Sequence, residues 1–107
     1  MENALNGAHL VFPRSWASHE CVMQGMDKFG EKRERKLHEE YRDWILTREL
    51  VDRMDPEAKI MHVLPVFRGE EATDEVMDGL HSVIYDQAEN RLHAQMAVLA
   101  LTMGERT

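Results

Sequence analysis

One cysteine among 107 residues excludes an internal disulfide, and Cys21 alone leaves the compartment open, with cytoplasm as the default expectation. No apolar run approaches the ~20 residues needed to cross a bilayer, and Met1-Glu2-Asn3 does not begin like a secretory signal peptide, so no membrane is expected. Positive charge is also scarce. Thirteen Lys and Arg against 20 Asp and Glu leave a formal net charge of -7, which argues against a nucleic-acid partner, since such a partner needs a basic face. The histidines lack ligand spacing: His9, His19, His38, His81 and His93 form no H-x-x-x-H pair, and Cys21 belongs to no C-x-x-C, so no metal site is predicted. Cys21 also has no His/Asn constellation and reads as a buried or idle thiol rather than a nucleophile. There is no internal repeat, linker or low-complexity tract, and the length allows one domain at most.

What remains is a mixed pattern of short apolar runs and helical stretches. His9-Leu10-Val11-Phe12 reads as a strand stopped by Pro13, with Arg14, Ser15 and Trp16 at its tip. From Met26 to Tyr41 the chain is charged, with Glu31 and Arg35 at i,i+4 spacing and a narrow stripe of Leu37, Tyr41 and Trp44 or Ile45, which predicts a solvated helix or insertion. Thr47 is placed to cap a helix through Met54, and Thr73 another that Gly79 ends. Ile60-Met61-His62-Val63-Leu64 has little alternation, which predicts a strand buried on both faces of a parallel sheet and ended by Pro65. In open α/β sheets ligands lie beyond the carboxyl ends of strands, so His62 to Pro65 occupy a ligand's place.

Ser82-Val83-Ile84-Tyr85 reads as a further strand, with Asp86 and Glu89 at capping-box spacing before the last helix. Arg91 then falls in the first or second turn, where the macrodipole disfavours a cation by roughly 0.3–1 kcal/mol. Either an oxygen-bearing ligand or a salt bridge to Glu89 or Asp86 answers that charge. Beyond His93 the helix runs through Ala94, Met96, Ala97, Val98, Leu99, Ala100, Leu101 and Met103, a profile that asks to be buried in a larger protein or against a partner. The fold class predicted is α/β: a partial doubly wound parallel sheet of three or four short strands, flanked by helices and closed by an apolar C-terminal helix.

HVLP, RGEEATDEVMDG and DQAENRLHAQ together resemble the carboxy-terminal part of an ornithine carbamoyltransferase, where the motifs read HCLP, RGEEVTDEV and ENRLHAQ. The resemblance runs from about Trp44 to Met103. It implies that residues 1–107 are a partial amino-acid-binding domain of the ornithine/aspartate carbamoyltransferase family, without the amino-terminal domain whose S-T-R-T loop grips carbamoyl phosphate. The implied reaction moves a carbamoyl group from carbamoyl phosphate to the amine of an amino acid and releases phosphate, with no cofactor or metal, in a homotrimer whose sites borrow residues between subunits. The alternative is a noncatalytic remnant that keeps the fold.

The same resemblance assigns roles. The backbone carbonyls of Val63 and Leu64 receive the carbamoyl NH2, while Arg91 and His62 approach its carbonyl oxygen as the catalytic pair. Val63 stands where the family has cysteine, and Arg14 where a D-x-x-x-S-M-G loop has aspartate, so the free ornithine amine is not specified by these positions. The S-W pattern of Ser15-Trp16 is more similar to the acetylornithine and succinylornithine branch, in which a cation pairs with the substrate α-carboxylate. Arg14, Trp16, Ser18 and Val63 are therefore the expected amino-acid contacts, with ornithine or an acylated ornithine as substrate.

Overall fold

The computed structural model describes residues 1–14, 17–25, 28 and 30–104. Along these residues run α1 (Glu2–Leu5), β1 (Leu10–Val11), α2 (His19–Gln24), α3 (Glu31–Glu40), α4 (Arg48–Val51), β2 (Lys59–Ile60), α5 (Asp74–Met77) and α6 (Ile84–Met103). The two strands pair in parallel, Leu10 with Lys59 and Val11 with Ile60. A third segment joins on the far side of β2 as a single bridge. The Ile60 N–H donates to the His81 carbonyl at 2.8 Å, and the Val83 N–H donates to the Ile60 carbonyl at 2.9 Å. Ile60 thus has a neighbour on both sides and no exposed surface. Around it gather Leu5, Leu46, Val51, Met54, Ala58, Ala72, Val76, Met77 and Ile84, one cluster drawn from α1, α4, α5, the start of α6 and the loops between them.

The α/β reading holds, with a smaller sheet than predicted. Three expectations are corrected. The run from Ile60 to Leu64 is not a strand buried on both faces: pairing stops at Ile60, and Val63 is 63% exposed. Ser82 to Tyr85 is not a strand, because after Val83 has bonded to Ile60 the chain turns directly into α6, with buried Ile84 as its first helical residue. Asp86 therefore lies inside the first turn of the helix, and Val83 holds the N-cap position.

Thr47 and Thr73 do occupy N-cap positions, although neither side chain makes a capping hydrogen bond and α4 ends at Val51 rather than Met54. Gly79 follows α5 where a Cβ would meet the Glu75 carbonyl oxygen at 2.8 Å, so only glycine lets the chain leave the helix so tightly. The charged helix α3 buries none of its residues and carries the predicted Arg35–Glu31 pair at 2.6 Å.

The molecule is extended for its length. Its radius of gyration is 17.5 Å, against roughly 13 Å for a compact domain of this size. Much of the difference is α6, whose 20 residues reach ~30 Å and of which only Ile84 is buried. Leu92, Met96, Val98, Leu99, Leu101 and Met103 are all exposed on it, interspersed with polar residues. Among the described residues no helix is long and apolar enough to cross a membrane.

Candidate active site

The end of β2 determines the geometry of the conspicuous motif. The Met61 N–H still donates to the Val11 carbonyl at 3.0 Å, after which the backbone leaves the sheet and folds over its own side chain. The Leu64 N–H donates to His62 Nδ1 at 2.9 Å. Leu64 takes a left-handed backbone, φ 57°, and the peptide to Pro65 is cis. The His62 ring is 2% exposed, and its Nε2 is buried with no hydrogen-bond partner among the described residues. From the neighbouring strand tip Phe12 stacks on it, ring centroids 6.3 Å apart and planes inclined by 19°. A buried imidazole thus forms the inside of a turn whose outside is Val63.

The tip of β1 lies beside a second feature, a cavity of about 450 Å³ lined by Val11, Arg14, Ser18, Trp44, Leu46 and Glu71 among others. Arg14 makes no ion pair among the described residues, so its guanidinium remains available to an anion. Ser18 is already committed. Its Oγ caps α2 by accepting the Cys21 N–H at 3.1 Å and donates to Glu34 at 2.9 Å, while its own N–H donates to the other Glu34 oxygen at 2.7 Å. Trp16 lies outside the described residues. Burial, and then the nearby Glu34, push the Cys21 thiol above its ordinary range, which makes it a poor nucleophile.

Arg91 is carried by α6. It is the eighth residue counted from Ile84, about 10 Å along the axis, so the macrodipole expectation is corrected: that field fades within the first turn. Nor does Arg91 pair with Glu89 or Asp86. It is exposed and makes no ion pair among the described residues, while Glu89 faces His93 at 3.9 Å. The fold therefore brings His62, Val63 and Leu64 into one turn and sets Arg14 and Ser18 on one cavity. Neither the turn residues nor Arg91 line that cavity.

The family model described as aspartate/ornithine carbamoyltransferase, Asp/Orn binding domain, matches residues 1–102. The chain belongs to that family. Anabolic ornithine carbamoyltransferase of Pyrococcus furiosus is 45% identical over 101 residues, 94% of this chain and 29% of that protein. The structure of ornithine carbamoyltransferase from the same organism superimposes with a TM-score of 0.74 at 42% identity, covering 99% of this chain and 31% of the other. A variant of N-acetyl-L-ornithine transcarbamylase, complexed with carbamyl phosphate and N-succinyl-L-norvaline, gives a TM-score of 0.76 at 29% identity over 94% of this chain and 28% of its own. The chain spans about 30% of the length of the relatives it matches. The match also extends beyond the Trp44 to Met103 stretch that carried the resemblance.

One residue of the cavity was not singled out by sequence reasoning. Glu71 is 5% exposed, lines the cavity with Arg14, and accepts the Phe67 N–H through Oε2. Its Oε1 is buried without a hydrogen-bond partner among the described residues. No spacing signals this, because the bond runs from a side chain to a loop amide four residues back.

Proposed function

We propose that this chain is the amino-acid-binding part of a carbamoyltransferase that transfers a carbamoyl group from carbamoyl phosphate to the amine of ornithine or an acylated ornithine. The amine lone pair forms a bond to the carbamoyl carbon, the carbon–oxygen bond to phosphate breaks, phosphate departs and the nitrogen loses a proton. The observation carrying this reading is the turn at the carboxyl end of β2, in which Val63 is exposed and Leu64 only partly buried, within the stretch that the family model matches. Two backbone carbonyls there accept the carbamoyl NH2. Arg91, which makes no ion pair among the described residues, supplies positive charge for the carbonyl oxygen as it becomes an oxyanion, a contribution worth several kcal/mol when aimed in a water-poor site.

Arg14 holds the substrate carboxylate through its planar fork, and Ser18, Trp16 and Val63 are the further amino-acid contacts that the family resemblance implies. The nucleophile comes with the substrate, so orientation supplies much of the remaining acceleration. Carbamoyl phosphate itself requires a second domain, and the working unit is a cytoplasmic homotrimer. The test is to combine this chain with the separately expressed carbamoyl-phosphate-binding domain of a relative and supply ornithine, N-acetylornithine and N-succinylornithine in turn. Carbamoylated product from one of them is expected. A folded complex that yields none from any amine would overturn the proposal in favour of a noncatalytic remnant.

A further inference from the structure

We propose that His62 is a positioning residue: its Nδ1 holds the Leu64 amide in a left-handed turn, so that the carbonyls of Val63 and Leu64 face the carbamoyl NH2, and the imidazole itself does not touch substrate. The family reading made His62 one of the groups at the carbamoyl oxygen. Its surroundings point elsewhere. An amide N–H only donates, so the 2.9 Å contact from Leu64 makes Nδ1 an acceptor and places the proton of the neutral ring on Nε2. That Nε2 is enclosed, and the whole residue is 2% exposed, so a ligand outside the turn finds no nitrogen of this ring to bond.

The adjoining Val63 is 63% exposed, on the side a ligand would approach. A left-handed φ of 57° is unfavourable for leucine, and such a conformation persists only when its surroundings enforce it. The bond from Leu64 to Nδ1 does so, with Phe12 stacked on the ring to keep the imidazole from swinging out. What the two carbonyls receive rests on the carbamoyltransferase reading; how they are held does not.

Two isosteric changes separate the nitrogens. His62→Asn keeps an acceptor as many bonds from Cβ as Nδ1, whereas His62→Gln places its amide nitrogen at the distance of Nε2 and leaves Nδ1 unreplaced. In the 15N-labelled 107-residue chain, wild-type His62 is expected to show an unprotonated Nδ1 and a protected Leu64 amide. Protection survives in His62→Asn, and exchange accelerates at least ~10-fold in His62→Gln. A protonated Nδ1 in the wild type, or equal Leu64 exchange in wild type and His62→Gln, overturns the proposal. The wild-type spectrum decides alone if a variant does not fold. No substrate is involved, so this test and the turnover assay fail independently. In an active reconstituted enzyme His62→Gln should lower turnover, and His62→Asn, which keeps the acceptor, should rescue most of that loss. A loss of about 10² in His62→Asn with the Leu64 amide still protected would instead mean contact through Nε2 and overturn the proposal.

Discussion

Arg68 grips Asp78 with both arms of its guanidinium, Nη1 to Oδ2 at 2.8 Å and Nη2 to Oδ1 at 2.7 Å. Nη1 also reaches Asp74 at 2.9 Å and Nη2 the Tyr85 hydroxyl at 3.3 Å. One side chain therefore ties the loop beyond the Val63 turn to α5 and to the first turn of α6, the helix that carries Arg91. The hydrogen bonds from Arg68 hold the Asp78 carboxyl below the usual carboxylate range.

Because the folded Asp78 is the stronger acid, it stabilises the fold fully above its unfolded pKa of about 3.9 and loses that contribution as pH falls through its lower folded value. Asp78→Asn should therefore lower the thermal midpoint at neutral pH, and the gap to wild type should close on acidification below pH ~4. The shift is small, since the groups are exposed and solvent screens them. Thermal scans from neutral to acid pH check it. A gap that stays constant throughout would mean that the carboxylate's charge contributes nothing.

Ile60 is the member of the core with no substitute. It is fully buried, and both its backbone groups bond to the 81–83 segment, through the His81 carbonyl and the Val83 N–H, while β1 pairs with β2 on the other side. Ile60→Ala should cost about 2–5 kcal/mol, because a site held between β1 and the bridged 81–83 segment collapses poorly into the void. In a chain this small that is enough to abolish cooperative unfolding. Leu10→Ala, at a strand position 56% exposed, should retain it. Equal urea midpoints for the two variants would show that the packing around Ile60 does not hold the fold together.

The tips of the elements were legible in the sequence and their extents were not. Pro13 placed the end of β1 to within a residue, since proline cannot donate to a ladder, whereas β2 ends at Ile60, well before Pro65. Four apolar residues around His62 suggested a strand, but the His62–Leu64 bond takes the backbone out of the sheet, a side-chain event that periodicity does not register. Ser82 to Tyr85 misled for a related reason. Val83 and Ile84 are β-branched and suit a strand, yet the pairing is finished once Val83 reaches Ile60, and Ile84 is buried just as well as the first residue of a helix. The capping-box pattern at Asp86 lost to that tertiary anchor. Glu31 and Arg35 were readable because helical spacing is a local property. Glu71 was unreadable because its burial depends on how the whole loop folds back.

Leu64 gives a test of backbone strain. At φ 57° an L-residue sits about 1–2 kcal/mol above its preferred basins, and branching at Cβ tightens the restriction. Leu64→Val should therefore destabilise the fold by roughly 1 kcal/mol more than Leu64→Met, which keeps an unbranched Cβ and nearly the same volume. Chemical denaturation of the two variants makes the comparison directly. A valine variant as stable as the methionine one would mean that the turn relaxes out of the left-handed region.

Arg91 separates the chemistry from the fold. It is exposed and makes no ion pair among the described residues, so none of them relies on its charge for stability. Arg91→Ala should leave the thermal midpoint within the ±0.5 kcal/mol typical of surface substitutions. In a complete, reconstituted enzyme the same change should cost about 10²–10³ in turnover, the usual loss when a preorganised donor to a developing oxyanion is removed. The loss should fall on kcat rather than on the KM for the amino acid, because the guanidinium answers charge that appears only in the transition state. Lysine at this position restores the charge but not the planar fork, so Arg91→Lys should recover only part of the rate. Steady-state kinetics per folded molecule decide the matter: an unchanged kcat in Arg91→Ala would remove this residue from the chemistry.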